Sequence, residues 1–560
     1  MAWYDEAIFY HIYPLGLAGA PQQNSYDEPV HRLNELLPWI AHIKEIGCNA
    51  IYIGPLFESV GHGYETTDYK KLDSRLGNNE DLKNFVAECH RQKIRVIFDG
   101  VFNHTGRDFF AFQDLKQNRE NSPYKDWFCN VNFWGNNEYN DGFSYDNWGG
   151  YNLMAKLNQK NPAVKDYICE VIRFWVTEFD VDGIRLDAAD VLDFEYMQTL
   201  RQTANKVKPE FWLMGEVIHG DYMRWVNEGT LHSVTNYHLH KALYSGHNDH
   251  NYFEIAHTVK RLYEMGGNRT DGMKLYNFVD NHDVERIYTK LSNKDNFVPV
   301  HILLYTLPGI PSIYYGSEFG IEGRKTYGTD APLRPALNLK DYTDAVKTNR
   351  FTALIAALGR VHQETKALSY GDYKELLLTN RQYAFSRSYE GQTVLVTVNN
   401  DDNDTTMTLP AGEAEYTGAL SGVRVVAVNG QITVTVKGNS GEIWLSDAEG
   451  KMDIKAETVT GAETEVEPEA EPEIEAEVQE EVGVVTEAAE PEVEKEPEIK
   501  PEPKESVSVR KSYEEMTIEE LQNAILERMK KNGPVTDRMR QDVVENVYHN
   551  SLVTWIKSFN

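Results

Sequence analysis

The sequence predicts an α/β chain, a (β/α)8 TIM barrel with an inserted subdomain, followed by a C-terminal antiparallel β-sandwich and a tethered small helical module. Three observations carry that reading. From residue 6 to about 365, eight short apolar runs alternate with longer amphipathic stretches. Around 375–447 the pattern changes to short alternating runs separated by turn-forming residues. A Glu/Pro/Val/Ala tract at 451–508 then parts these regions from a final segment with helical periodicity.

The eight runs are AIFYHIYP (7–14), NAIYIGPLF (49–57), IRVIFDGVFNH (94–104), GIRLD (183–187), LMGEV (213–217), SVTNY (233–237), KLYNFVDNH (274–282) and GIPSIYYG (309–316). A strand buried on both faces reads as a near-continuous apolar run, which is the signature of a parallel sheet. Helix-like segments such as 33–47 and 79–93 lie between them, and eight strands with crossover helices make a closed barrel. The barrel is assigned to residues 1–104 and 161–370. The gap between the third and fourth strands is too long for one helix. Residues 105–160, rich in Asn, Asp, Gly, Trp and Tyr, therefore form an inserted subdomain on the face where the strands end. Its Trp134, Trp148 and Tyr151 either line a cleft or pack the subdomain.

Residues 371–448 carry the runs YAFSRSY, TVLVTVNN, TTMTLP, VRVVAV, QITVTV and GEIWLS, spaced as in a sandwich. Residues 449–510 form an acidic linker that cannot bury a core and is expected to be disordered and extended. Residues 511–560 form the helical module. In MTIEELQNAILERMKKNG, Thr517 stands as N-cap with Glu520 three residues on, a capping box, and Gly533 closes the helix. A second helix follows in residues 535–559. The tether suggests that this module docks on a protein partner.

Hydrophobic residues make up 41% of the 560 and aromatics 11%, enough for a large core. A net charge of −31 argues against nucleic acid, which needs a basic footprint. Nineteen acidic and five basic side chains in 451–504 account for −14 of it. The start, MAWYDEAIFYHIYP, lacks the basic and apolar regions of a secretory signal, and no run has the ~18 to 20 apolar residues that a membrane helix needs. Cys48, Cys89, Cys129 and Cys169 show no metal-ligand spacing and read as free, mostly buried thiols. A cytoplasmic enzyme fits best.

Three acids, Asp187, Glu216 and Asp283, each stand where an apolar run breaks into polar loop. In a parallel barrel the strand C-terminal ends converge on one site, so the three acids are brought together. Like charges resist ionising side by side, and chemistry is the usual reason for tolerating that; acid clusters of this kind cleave glycosidic bonds. Arg185 lies two residues before Asp187, on the same strand face, and is expected to keep Asp187 ionised as a nucleophile requires. Glu216 follows the apolar WLMG, and partial desolvation suits a proton donor. Alone, an acid at a strand end is more often a cap or a surface ion-pair partner; three in full motifs are not. Asp99 reads as structural, bonded to a neighbouring Arg, and Asp190, Glu285 and Glu318 read as structural too.

The segments DGVFNH (99–104), GIRLDAAD (183–190), GEV (215–217) and FVDNHD (278–283), in this order, resemble the four signature regions of the α-amylase family of retaining glycoside hydrolases. The resemblance spans residues 3–447. It implies Asp187 as nucleophile, Glu216 as general acid/base and Asp283 as transition-state stabiliser. It also implies that Arg185, His104 and His282 contact the sugar in the cleavage subsite, and that Tyr64, in HGYETTDY, stacks on it. MAKLN (154–158) is similar to the MPKLN region of neopullulanases, cyclomaltodextrinases and maltogenic amylases, with Ala155 in place of proline. TDAPLRP (329–335) is similar to a segment in which an Asp and an Arg, here Asp330 and Arg334, bind the next sugar. Ala188 after the nucleophile resembles α-1,4-acting members.

Departures bear on the rest. That group usually carries an N-terminal β-domain that shapes a dimeric site, whereas the first strand here begins at residue 7, so a dimeric site does not carry over. Where relatives have Lys-His after the nucleophile this chain has Asp190-Val191, and the His often supplies a backbone oxygen to a structural calcium. Asn103 matches another calcium ligand of the family and is the one candidate for such a site. The chemistry itself needs no cofactor. The expected activity is retaining hydrolysis of α-1,4-glucosidic bonds in maltodextrins or related α-glucans. The alternatives are a glucanotransferase or disaccharide phosphorylase on the same scaffold, or a non-catalytic carbohydrate-binding relative.

Overall fold

The computed structural model describes residues 2–265, 273–326, 329–412, 415–446, 517–532, 543 and 556. Eight parallel strands form its centre: β1 (Phe9–Ile12), β2 (Ala50–Ile53), β3 (Arg95–Gly100), β4 (Gly183–Leu186), β5 (Trp212–Gly215), β6 (Ser233–Val234), β7 (Tyr276–Asn277) and β8 (Ile310–Tyr314). They pair in the order β6-β5-β4-β3-β2-β1-β8-β7. A parallel bridge between Thr235 and Tyr276, with the Asn236 N–H donating to the Tyr276 carbonyl at 2.9 Å, joins the two ends and closes the barrel.

Every residue in these strands is buried except Arg95, which is why each reads as an unbroken apolar run. The two faces still differ. Phe9, Tyr52, Ile97, Trp212, Met214, Tyr276 and Ile310 fill the barrel, while Tyr10, Ile51, Phe98, Ile184 and Leu213 pack under the helices. Beyond the last ladder residue the two-residue period continues: Arg185 and Asp187 keep the inward phase of β4, and Glu216 that of β5.

Two strands are cut to two residues each, Ser233–Val234 and Tyr276–Asn277. The run at 233–237 stops because Asn236 caps the helix Tyr237–Asn248, its side chain accepting the Leu239 N–H at 3.1 Å. In the run at 274–282 the ladder ends at Asn277, and farther on the Asn281 side chain accepts the N–H groups of Asp283 and Val284, at 2.8 and 3.1 Å, and folds the chain into a turn. The helix expected over 33–47 begins as a 3-10 turn, Arg32–Leu36, and becomes α-helical over Leu37–Glu45, with Pro38 in its first turn.

The insertion after β3 builds a three-stranded sheet from His104–Gly106, Asn147–Trp148 and Tyr151–Lys156, beside the helix Phe110–Asn118. After the barrel, six antiparallel strands between Asp372 and Ser446 form one sheet, and Thr405–Pro410 pairs with Gln431–Val436 across from it. Met407, Leu409, Ile432, Val434 and Trp444 fill the layer between them. The opposite face of the larger sheet (Phe385, Val396, Ile443) joins the barrel's own core, and Arg387 Nη1 donates to the Thr306 carbonyl at 2.7 Å.

The helix Ile518–Asn532 opens with the expected capping box: Thr517 N–H donates to Glu520 Oε2 at 2.7 Å, and Glu520 N–H to Thr517 Oγ1 at 3.2 Å. Leu521, Ile525 and Met529, one turn apart, cluster with Val543 and Ile556. The acidic linker, Gly533 and most of the second helix lie outside the described residues. All four cysteines are free, three of them buried and Cys129 half-buried. No helix among the described residues is long and apolar enough to cross a membrane.

The barrel floor, opposite the acids, is pinned by Asp182. This buried carboxylate accepts from His90 Nε2 (2.7 Å), Arg95 Nη1 (2.9 Å) and the Val96 N–H (2.9 Å), and pairs with Lys208 Nζ at 3.0 Å. Burial alone would raise its pKa; His90, Lys208 and the Val96 amide outweigh that and depress it to about 2. A depressed folded-state pKa gives stability that is present above the unfolded value and lost as pH falls toward the folded one. Asp182→Asn should therefore cost about 2 kcal/mol at pH 7, and its deficit against wild type should shrink below pH 4. Urea unfolding at both pH values tests this, and a deficit constant with pH would refute it.

Candidate active site

The three acids meet above the C-terminal ends of the strands, around one guanidinium. Arg185 is itself only 3% exposed. Its Nη1 reaches Asp99 Oδ1 (2.8 Å), Asp99 Oδ2 (3.0 Å) and Asp187 Oδ1 (2.9 Å), and its Nη2 lies 2.9 Å from Glu216 Oε2. Asp99 and Arg185 are register partners on β3 and β4, so the ladder sets this pair. The Arg185 contact is the structural bond expected of Asp99, which is sealed further by the hydroxyls of Tyr52 (2.7 Å) and Tyr64 (3.1 Å). Above that floor the acids open to solvent: side-chain exposure is 9% for Asp187, 14% for Glu216 and 35% for Asp283.

Asp187 ends β4, and the next residue, Ala188, turns into the left-handed region at φ 47°. That turn points the Ala188 N–H at Glu216 Oε2, 3.0 Å away, and so ties the end of β4 to that of β5. Such a φ is unfavourable for a residue with a Cβ and persists where the surroundings over-determine it.

The electrostatics depart from the sequence expectation for Asp187. Burial pushes its carboxyl well above the usual range; Arg185 pulls it down, but the charges of Glu216, Asp99 and Asp283 push it further up. Arg185 was expected to serve Asp187, and instead it is divided among three carboxylates. For Asp283, burial would raise the carboxyl, yet His282, Arg334 and Arg185 hold it well below the ordinary carboxylate range.

His282 Nε2 lies 3.0 Å from Asp283 Oδ2 and 2.5 Å from the Tyr64 hydroxyl. The rings of Tyr64 and Tyr13 both lie nearly parallel to its imidazole, with centroids at 5.6 and 5.7 Å. Arg334 donates from Nε to the His282 carbonyl (3.0 Å) and from Nη2 to Asp283 (2.9 Å) and Asp330 (3.3 Å). The structure thus brings Asp330 and Arg334 together, as the sequence suggested, and adds Asp283 as Arg334's nearer partner. Asp330 is also paired with Lys325 at 3.0 Å.

His104 sits one layer back and is fully covered. Its Nε2 faces the Tyr64 carbonyl at 3.1 Å, its Nδ1 the Asn103 amide at 3.3 Å, and its ring stacks on Trp148. Burial lowers its pKa to about 3, so it stands neutral behind Tyr64. Sequence reasoning passed over Tyr13, whose hydroxyl donates to the His62 carbonyl at 2.5 Å, and His62, paired with Glu65 at 3.1 Å. Tyr13 ends the first apolar run as the acids end theirs, and that signal could have found it.

Calcium takes six to eight oxygen ligands. At Asn103 the amide oxygen already accepts from Gln159 Nε2 (3.0 Å) and the carbonyl from the Leu157 N–H (3.0 Å). Gln159 Oε1 in turn accepts the Asp193 N–H at 2.6 Å, so one neutral amide links β3's loop to the loop after β4. Among the described residues no group of three or more His, Cys, Asp or Glu side chains is arranged to hold a metal ion. The residues present do not fit a calcium ion at Asn103.

The α-amylase catalytic-domain model matches residues 32–374, and an α-amylase C-terminal domain model matches 371–444. A cyclomaltodextrinase of Bacillus sp is 31% identical over 71% of this chain and 74% of its own. A maltogenic α-amylase of Bacillus acidopullulyticus is 29% identical over 79% and 77%. A solved cyclomaltodextrinase superposes with a TM-score of 0.69 at 27% identity, covering 80% of this chain and 78% of that one. The catalytic-domain match takes in more than half of the residues and every acid of the cluster, and the chain, similar to cyclomaltodextrinases, a maltogenic α-amylase and a neopullulanase, belongs to the α-amylase family of glycoside hydrolases.

Proposed function

We propose that this enzyme hydrolyses α-1,4-glucosidic bonds of maltodextrins and cyclodextrins in the cytoplasm, with retention, through a covalent glycosyl-enzyme. The observation that carries the reading is the single buried guanidinium that gathers Asp187 and Glu216 under an opening rimmed by Asp283. Relatives named for cyclomaltodextrins and maltose support the substrate class.

In this reading Glu216 protonates the glycosidic oxygen as Asp187 Oδ attacks the anomeric carbon, and the C–O bond to the leaving sugar breaks. Water then adds to the same carbon with Glu216 taking its proton, and Asp187 is released. Asp283, held ionised by His282 and Arg334, binds the hydroxyls beside the anomeric carbon as the ring flattens and positive charge develops. Tyr64 and His282 present ring and edge to the same sugar, while Asp330 and Arg334 lie toward the next one. His104, from behind, fixes Tyr64.

The cluster keeps a proton because two guanidinium groups, Arg185 and Arg334, face four carboxylates. Attack requires that proton on Glu216 and not on Asp187. The charge that grows on the anomeric carbon stabilises ionised Asp187, so a bound substrate favours the productive arrangement.

Incubation with maltotriose, β-cyclodextrin and pullulan tests the substrate class. Glucose and maltose should appear from the first, and no cleavage would refute the assignment. Early formation of oligomers longer than maltotriose would favour a transferase instead. Asp187→Asn should lower kcat by at least about 10³-fold, and an unchanged rate would remove Asp187 as nucleophile.

Glu216→Gln should lose maltotriose hydrolysis yet still react with α-maltosyl fluoride, whose leaving group needs no acid. Removing the Glu216 charge takes a repulsive neighbour from Asp187, so ionised Asp187 is favoured and its pKa falls. The acid limb of kcat/KM for the fluoride should therefore lie at lower pH in Glu216→Gln than in wild type. A limb that stays in place or moves upward would show that Glu216 does not load Asp187.

A further inference from the structure

Arg286 is a fully buried cation that the proposed chemistry leaves without a task. Its bonds run to two carbonyls and a hydroxyl, not to a carboxylate: Nη1 to Tyr315 O (2.5 Å) and Ser317 Oγ (3.0 Å), and Nη2 to Leu333 O (3.0 Å). The rings of Tyr314 and Tyr315 lie 4.1 and 5.1 Å from the guanidinium carbon. The nearby Asp280 carboxylate accepts the Ile287 N–H and the Ser317 hydroxyl through one oxygen, Oδ2, both at 2.8 Å, and it feels the Arg286 charge without bonding it. A buried cation is costly to desolvate, and an apolar side chain of the same volume often stabilises a core better. Fold stability is a weak reason for keeping an arginine here.

What the arginine does locally is join two segments that share no ladder. One is the end of β8, at Tyr315 and Ser317; the other is the turn at 330–335, through the Leu333 carbonyl. The Tyr314 hydroxyl donates to that same carbonyl at 3.0 Å, and the Tyr315 hydroxyl to the Pro335 carbonyl at 2.8 Å. The next chain segment is drawn in as well: Arg286 N–H donates to Gly323 O at 3.0 Å, and a Cβ at Gly323 would meet Pro332 O at 2.7 Å and Arg286 Cγ at 2.8 Å. The residue after Leu333 is Arg334, whose side chain bonds Asp283 and the His282 carbonyl. The turn is therefore held from below at Leu333 while it reaches over the site from Arg334.

We propose that Arg286 is a positioning residue: by fixing the Leu333 carbonyl to the end of β8, it keeps the Arg334 guanidinium on Asp283. This rests on the catalytic reading of Asp283 given above. The planar fork is what suits arginine to the place, since one side chain must meet carbonyls in two directions, and lysine offers a single point charge.

The test uses Arg286→Lys, with Tyr314→Phe as a milder variant that removes one bond to the Leu333 carbonyl. Crystal structures of wild type and both variants read the Arg334–Asp283 contact directly, whether or not the enzyme turns over any glucan. Opening of that contact in Arg286→Lys is expected, and an intact contact overturns the proposal. If wild type cleaves maltotriose, Arg286→Lys should lower kcat about 10- to 100-fold with a much smaller change in KM. Adding Arg286→Lys to Arg334→Ala should then cost little more than Arg334→Ala alone, because the clamp acts through Arg334. Fully additive losses overturn it as well. A wild type inactive on every α-glucan, with the contact opening in the variant, would refute the proposed function and leave the clamp standing.

Discussion

The buried guanidinium of Arg185 is the constraint on which the rest of the site depends. Placing four carboxylates at the mouth of a barrel is unfavourable, because each desolvated charge raises the energy of the others. One cation that faces Asp99, Asp187 and Glu216 together makes the cluster tenable, and its position is set by backbone register, not by side-chain search. The floor beneath it is equally determined: Asp99 is fixed by two tyrosine hydroxyls, so the guanidinium has no other place to go. Asp283 is bonded instead by Arg334 and His282, with Arg185 acting on it only at a distance, so three acids share one guanidinium and the fourth is paired with another.

Much of this was legible in the residues, for a physical reason. A strand buried on both faces has almost no freedom in composition, so all eight barrel strands stand out as apolar runs, and the acids that end them are conspicuous. The two-residue period of β4 was enough to place Arg185 beside Asp187. The capping box at Thr517 was legible because it is local, three residues from donor to acceptor.

What escaped the sequence is what depends on distant partners. Asp187 looked like an acid kept ionised by the arginine two residues away, because the chain displays that neighbour and conceals the other two claims on it. The same blindness applies to Gln159, an unremarkable amide 56 residues from Asn103 until folding inserts it between β3's loop and Asp193. His104 was assigned to the sugar from its motif, whereas its nitrogens already face Tyr64 and Asn103. The end of β6 was misjudged because the Asn236 side chain caps the next helix in place of a ladder partner, and no hydrophobic pattern reports that.

Splitting the acids into two electrostatic groups has a consequence for how the surrounding loops set the reaction's outcome. In the proposed mechanism the acids around Arg185 hold the mobile proton and make and break the bonds, and they stand on barrel strands or one residue past their ends. Asp283 takes its charge from Arg334, which belongs to the turn at 330–335 and also holds Asp330. If Asp330 and Arg334 bind the next sugar as proposed, a change in that turn alters that binding and the ionisation of Asp283 at once. Choice of glucan and choice of acceptor are then not independent of catalytic rate, because one arginine joins the two. Variation that leaves the strand ends untouched can still move the enzyme between substrates, or between water and a sugar hydroxyl, by acting where Arg334 is anchored.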